Sequence, residues 1–373
     1  MTTTLSSIAS RRTPWRALLG LFFACCRSPG RLQPTLISPS DPRIGVMGRV
    51  DRSSGDTLRF GYPGVTLRVR FQGPSLSLRL SCSTSNSHLA VRVDNREPRV
   101  LRLRNGESEV TLAEGLSDAP HTVELSHRTE TWIGIVTVRG FILRAGSQLL
   151  PADPWPARRL LLIGDSVTCG EDIDRRSDCS KDASSWDAPL SYGMLLARAL
   201  GAQCHLVCYG GRGLVRDWQG NAAALNAPQF FELAVAEAAP HVNWNHASYQ
   251  PDAVIVSLGT NDFNLALGAL PDRERFVSAY LAFVNRIRSR YPNAYVLLTE
   301  GAMVNDLADP ARPQKSRLRS YLAETVQRLA DPHVLAIASE YYPGDACDPH
   351  PTRDQHAAIA RDLEPVVRRT LGW

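Results

Sequence analysis

Four short turns in this chain of 373 residues hold residue types that together can act on a carbonyl group. The first, Gly164-Asp165-Ser166-Val167-Thr168-Cys169-Gly170, ends an apolar strand and leaves the Ser166 hydroxyl at the sheet edge, its own amide available to an oxyanion. In the second, Cys208-Tyr209-Gly210-Gly211-Arg212-Gly213, missing Cβ atoms let backbone amides approach a ligand closely. The third, Ser257-Leu258-Gly259-Thr260-Asn261-Asp262, lets Asn261 aim an amide donor into the same space while Asp262 caps the segment that follows. The fourth, Cys347-Asp348-Pro349-His350-Pro351-Thr352, leaves His350 on the loop before a last helix, whose start is marked by the capping-box pair Thr352 and Gln355. A hydroxyl, an imidazole and preset donors are the parts of Ser-His nucleophilic chemistry.

Each turn alone also has a plain structural reading. Ser166 suits a helix N-cap, Asn261-Asp262 an ordinary cap, and a histidine before proline a surface loop. His356, one turn into the last helix, reads as packing or solvated surface. The functional reading rests on all four turns falling at the ends of elements that bring them together.

Those elements are legible. Beyond residue 157, short apolar strands (Leu160 to Ile163, His205 to Cys208, Ala253 to Leu258, Ala294 to Leu298, Val334 to Ile337) alternate with helical segments. The clearest helix is 272–290, where Phe276, Tyr280, Phe283, Val284 and Ile287 share one face. Such alternation predicts an α/β fold, a parallel sheet flanked by helices, with its ligand crevice beyond the carboxyl ends of the strands. Between 40 and 150 the period is two instead, as in Val65, Leu67, Val69 and Phe71 and again in Leu76, Leu78 and Leu80, with a further strand at Ile133 to Leu143. Many short strands at such spacing predict an N-terminal β-sandwich or jelly roll. Pro151, Pro154 and Pro156 break that pattern, so the second domain is expected to run from 157 to 373.

Residues 1–30 carry Arg11, Arg12, Arg16 and Arg27 with no acidic residue, and the apolar run Ala17 to Cys26 is too short for a membrane span. This reads as a signal peptide or a lipoprotein signal, hence secretion or a periplasmic or outer-membrane location, with a lipid anchor left open. Without that segment the formal charge falls from +5 to +1, which argues against a nucleic-acid partner. Only Lys181 and Lys315 are lysines among 42 basic residues, a composition bias and not a binding patch. The eight cysteines show no zinc-type spacing, so no metal site is expected.

The four blocks, in this order and on this pattern, resemble the SGNH (GDSL-type) hydrolases, whose flavodoxin-like sheet carries Ser, Gly, Asn and His. Gly164 to Gly170, Gly211-Arg212-Gly213-Leu214, Leu258 to Phe263 and the preceding sandwich look more narrowly like carbohydrate esterase family 2. The resemblance implies Ser166 as nucleophile and His350 as general base. It implies an oxyanion hole of the Ser166 and Gly211 amides with the Asn261 side chain. Asp348, two residues before His350, resembles the third triad member of some family members, while in others a backbone carbonyl orients the histidine. Gly210 departs from the Ser often found there.

Cys169 and Cys347 flank nucleophile and base, so a disulfide between them is expected to tie the two loops, with Cys179 as the alternative partner for either. Cys82, Cys204 and Cys208 read as buried strand residues. Tyr209, Trp186, Trp218 and Trp244 are candidate sugar platforms, each also readable as core. The implied activity is deacetylation of plant cell-wall polysaccharides such as acetylated xylan or mannan, without a cofactor. The alternatives are another SGNH esterase (on lipids, thioesters or peptidoglycan) and a carbohydrate-binding protein with a dead site.

Overall fold

A computed structural model describes residues 1–5, 33–237 and 240–373. The segment read as an export signal lies outside the described residues apart from its first five. Eleven strands come first: β1 (Thr35–Ile37), β2 (Gly45–Met47), β3 (Leu58–Phe60), β4 (Thr66–Gln72), β5 (Leu76–Cys82), β6 (His88–Val93), β7 (Arg99–Arg102), β8 (Gly106–Ala113), β9 (Pro120–His127), β10 (Val136–Leu143) and β11 (Gln148–Leu150). They form two antiparallel sheets. One has the order β1-β10-β5-β8 with β3 also on β10, the other β11-β4-β9-β6-β7 with β2 also on β4. Alternation buries Leu67, Val69 and Phe71 of β4 against Leu76, Leu78 and Leu80 of β5. The sandwich begins at Thr35, ahead of the expected residue 40, because β1 pairs along β10.

The second part is a parallel sheet of β12 (Arg158–Gly164), β13 (Ala202–Cys208), β14 (Ala253–Ser257), β15 (Tyr295–Thr299) and β16 (Val334–Ile337), ordered β13-β12-β14-β15-β16. This is the flavodoxin-like order, in which β12 pairs with β13 on one side and β14 on the other and the strand order reverses its progression across the sheet at β12. Helix α1 (Ser166–Cys169) follows β12, α2 (Tyr192–Leu200) precedes β13, and α3 (Ala227–Phe230) lies in the long connection to β14. Helices α4 (Arg273–Arg290), α5 (Gln314–Leu329) and α6 (Arg353–Leu371) complete the layers. Leu160, Leu162, Ile255 and Leu297 pack with α2 and α6, while Leu161, Ile163, Val254 and Val256 pack on the opposite face with α4 and α5. Helix α4 opens at its Asp272 cap and buries Phe276, Tyr280, Phe283, Val284 and Ile287, the face its periodicity predicts.

Residues 34–373 form one compact unit, so the two sheets systems share a seam. The expected strand from Ile133 starts only at Val136, and the link 128–135 between β9 and β10 turns into the second domain. There Arg128, 3% exposed, donates to Asp187 Oδ2 (2.7 Å), Asp174 Oδ2 (3.1 Å) and the carbonyls of Trp186 and Ser184. Burial pushes the Asp187 carboxyl up to about 6, with Arg128 the chief opposing charge. Deeper in the seam, Arg49 is 1% exposed and donates to the carbonyls of Phe231 and Leu233. Removing one partner of a buried ion pair strands the other charge. Arg128→Ala should therefore cost about 3–5 kcal/mol of stability, read as a lower urea midpoint.

Candidate active site

The crevice opens where the strand order reverses, beyond the carboxyl ends of β12, β13 and β14. Its volume is about 770 Å³, and Ser166, Gly211, Asn261 and His350 all line it. Ser166 is the first residue of α1, capped by Asp165, whose side chain accepts from the Val167 amide at 3.1 Å. The short turn leaves the Ser166 side chain at the crevice floor. His350 reaches it from the loop before α6, which starts at the expected capping box of Thr352 and Gln355.

Ser166 Oγ lies 2.8 Å from His350 Nε2, and His350 Nδ1 lies 2.5 Å from Asp348 Oδ1. The Asp348 carboxylate also accepts from the His350 backbone N–H at 2.8 Å, so one aspartate fixes both ring and loop. With Nδ1–H donating to Asp348, the Nε2 lone pair is free to accept the serine proton. Asp348, not a backbone carbonyl, thus orients the ring. Lys181 Nζ sits between Asp348 Oδ2 (2.9 Å) and Glu171 Oε1 (2.8 Å), and Glu171 Oε2 is 3.7 Å from His350 Nε2. Arg175 donates to the carbonyls of Asp348 and His350, closing the loop from beneath.

Burial alone would pull the His350 imidazolium down. The hydrogen bond that the ring donates to Asp348 and the charges of Glu171 and Asp348 outweigh it, so the ring holds its proton above the usual value. Asp348 is raised by burial, but the His350 ring and amide and the Lys181 ammonium hold it well below the carboxylate range.

The glycine loop is held from two sides. Asp262, fully buried, accepts from the amides of Leu214 (2.8 Å), Val215 (2.8 Å) and Arg216 (3.2 Å). It braces this loop and does not cap the segment after it, correcting the expectation from sequence. Asn261 Nδ2 donates to the Arg212 carbonyl at 2.9 Å, which fixes the amide plane and leaves its second hydrogen for the crevice. Gly211 has φ +72°, and a Cβ there would lie 2.6 Å from Trp218 Cδ1, so only glycine fits. The Ser166 and Gly211 amides have no protein acceptor among the described residues.

The expected Cys169–Cys347 bond does not form, Cys208 is a paired and not a free strand residue, and Cys179, the alternative partner, is the one that meets Cys347. Cys169 pairs with Cys208, and Cys179 with Cys347. The reason lies in the sheet: Gly164 stands opposite Cys208 in the parallel register, so the chain just past β12 is already beside Cys208, with Cα atoms of the two cysteines 5.6 Å apart. Cys347 instead meets the loop after Glu171, which carries Cys179 and Lys181. Cys82 and Cys204 are buried and free.

The aromatic candidates separate. Tyr209 and Trp218 line the crevice, and Trp218 is 53% exposed. Trp186 is buried behind it, its Nε1 donating to Glu130. Trp244 lies elsewhere, against Arg49 and His205, beside Arg159 and Gln203 near the amino ends of β12 and β13. Its segment leads into the start of β14 and is therefore at the wrong end of the sheet. Sequence reasoning passed over Trp132, 53% exposed on the crevice wall opposite in origin, which comes from the sandwich link and packs edge-on against Trp186. It also passed over Glu171 and Lys181. The scarcity of lysine was a signal for the latter, since a compact ammonium fits between two carboxylates where a planar guanidinium needs more room. His356 is buried, accepting the Tyr192 amide through Nδ1 at 3.1 Å.

Residues 46–153 match the family model described as carbohydrate esterase 2 N-terminal, and residues 162–362 match the GDSL-like lipase/acylhydrolase family. An acetylxylan esterase / glucomannan deacetylase of Cellvibrio japonicus (strain Ueda107) is 40% identical over 363 residues, covering 96% of this chain and 99% of that protein. The structure of a family two carbohydrate esterase from Cellvibrio japonicus aligns with TM-score 0.87 at 41% identity, covering 91% of this chain and 99% of that one. One from Clostridium thermocellum in complex with cellohexaose aligns with TM-score 0.80 at 26% identity, covering 88% and 99%. Fold and crevice thus define a GDSL-like ester hydrolase with a sandwich in front. The chain belongs to carbohydrate esterase family 2 and is a carbohydrate O-acetylesterase.

The electrostatics of His350 can be checked directly. Its ring should titrate above 6.5 by NMR, and Asp348→Asn, which removes the chief raising partner, should move the midpoint downward.

Proposed function

We propose that this protein is an exported serine esterase that removes acetyl groups from plant cell-wall polysaccharides such as acetylated xylan or glucomannan. The hydrogen-bonded chain Ser166–His350–Asp348 beside unpaired amides carries the proposal. His350 Nε2 takes the Ser166 proton as Oγ attacks the acetyl carbonyl. The oxyanion that forms is held by the amides of Ser166 and Gly211 and by Asn261 Nδ2. His350 then gives its proton to the sugar oxygen as its bond to the carbonyl carbon breaks, the sugar leaves as the free hydroxyl, and the acetyl group stays on Ser166. Water, activated by the same ring, attacks that ester, releases acetate and returns the proton to Ser166.

Polymer as substrate is supported by the form of the crevice, which is open and has the indoles of Trp132 and Trp218 exposed along it. The name of the Cellvibrio japonicus relative supplies xylan and glucomannan as the first polymers to try. Export is supported by the arginine-flanked apolar run in residues 1–30 and by two disulfides beside the crevice, which need an oxidising compartment. The sandwich and the exposed aromatic residues would also suit a binding protein, but such a protein has no use for an oriented serine and histidine.

Acetate release from acetylated xylan and glucomannan, beside short- and long-acyl nitrophenyl esters, tests the reading. Ser166→Ala should lower the rate about 10⁴-fold or more. Asn261→Ala should lower kcat about 10²- to 10³-fold through one lost donor. A preference for the long-acyl ester would assign a lipid esterase, and activity that survives Ser166→Ala would overturn the mechanism. Since the base must be neutral, kcat/KM should fall as pH drops through the raised His350 midpoint, above 6.5.

A further inference from the structure

Gly210 lies directly before the residue whose amide faces the crevice, and a carboxylate from the other domain holds it. The Gly210 N–H donates to Glu130 Oε2 at 2.5 Å, while Glu130 Oε1 accepts the Trp186 Nε1–H at 3.0 Å. Glu130 is 1% exposed, sits in the link between β9 and β10, and does not line the crevice. A Cβ on residue 210 would meet Oε1 and Oε2 at 2.8 and 3.0 Å, so a side chain there has to displace the carboxylate from its place under the loop. Two donors converge on two oxygens, an arrangement that an acceptor-only group satisfies and an amide does not.

From this geometry we infer that Glu130 is a positioning residue of the esterase: it fixes the Gly210–Gly211 peptide so that the Gly211 amide points at the reacting carbonyl, which makes the sandwich domain a working part of the catalytic site. The inference rests on the proposed oxyanion role of Gly211. Among the described residues no other hydrogen bond reaches Gly210 itself, while its neighbours are held separately, the Tyr209 amide by the Gly164 carbonyl and the Gly211 carbonyl by the Trp218 amide. Burial, and then the charge of Glu171, push the Glu130 carboxyl up to about 7, opposed by the N–H groups of Trp186, Gly210 and Trp132. A charge so unfavourably placed marks a contact that the fold maintains against a desolvation cost.

The test is steady-state kinetics on nitrophenyl acetate and acetylated xylan with the whole chain. Glu130→Gln turns an NH₂ group toward either Gly210 or Trp186, and kcat should fall about 10- to 100-fold with KM within about two-fold. Adding Trp186→Phe removes the competing indole donor, so the glutamine carbonyl can accept from Gly210. The double variant should then recover most of the lost kcat, which a merely structural defect would not do. An unchanged kcat in Glu130→Gln, or a loss that Trp186→Phe does not recover, overturns the inference. Should Glu130→Gln fail to fold, Gly210→Ala reads the same contact from the loop side. Its Cβ pushes on the carboxylate and kcat should fall with KM held, and an unchanged kcat again overturns it. Wild-type activity that Ser166→Ala does not abolish would instead mean that the underlying mechanism has failed.

Discussion

Backbone amides that stay unpaired and yet do not move are the constraint around which this crevice is built. A free N–H in a folded protein is ordinarily claimed by a carbonyl or by water. Here the loop from Gly210 to Arg216 is spread between two buried carboxylates, Glu130 accepting from Gly210 and Asp262 from Leu214, Val215 and Arg216. The Asn261 amide takes the carbonyl of Arg212. Neighbouring polar groups are consumed on both sides, and the Gly211 amide is left facing the crevice. Burying a carboxylate costs several kcal/mol, and three backbone donors on Asp262 offset that cost while fixing the loop. Burial still raises the Asp262 carboxyl above its ordinary value against those donors, the mark of a contact whose benefit is positional.

The histidine side obeys a different logic. Asp348 can orient His350 only if the aspartate itself is immobile and charged. Its loop has no regular secondary structure between β16 and α6, so it is tied to the loop after α1 by the Cys179–Cys347 disulfide, by Arg175 on two carbonyls and by Lys181 on the carboxylate. Every one of those partners comes from residues 171–181. The Cys169–Cys208 bond joins the residues just before that same stretch to the end of β13, so the Ser166 turn, the glycine loop and the His350 loop are cross-linked through one segment. A disulfide directly between Cys169 and Cys347 would have tied only two of the three.

What the sequence disclosed and what it hid follow from the range of the signals. The five parallel strands were legible because strands buried on both faces read as short continuous apolar runs between helical segments, and helix α4 because burial on one helix face repeats locally near every fourth residue. The blocks at Ser166, Gly211, Asn261 and His350 were legible because each ends such an element, and chain order then places them along one edge. Strand β8 was passed over since its outward residues, among them Glu107 and Glu109, conceal the alternation. Glu130 and Lys181 were hidden for another reason: the partners that give them their place lie far off in sequence, 80 and 56 positions for Gly210 and Trp186 with Glu130 and 167 for Asp348 with Lys181. Trp244 misled for the converse reason, a suitable residue type on a connection that runs to the wrong end of the sheet.

That same distance in sequence decides how the sandwich should be regarded. The proline-rich break at 151–156 suggested a module fused ahead of an independent enzyme. The seam argues otherwise, because polar groups meet across it: Arg128 with Asp187, Arg59 with Glu237, Arg49 with the carbonyls of Phe231 and Leu233, and the Glu130 carboxylate with donors of Gly210 and Trp186. Separating the halves would expose or strand each of these groups, and an unpaired buried charge destabilises by more than the pair ever contributed. The link that carries Arg128 and Glu130 also places Trp132 on the lining of the crevice. The crevice takes the Trp132 indole and the carboxylate beneath its glycine loop from the sandwich side, so the smallest part of the chain in which the crevice is complete runs from the first sandwich strand to the last helix.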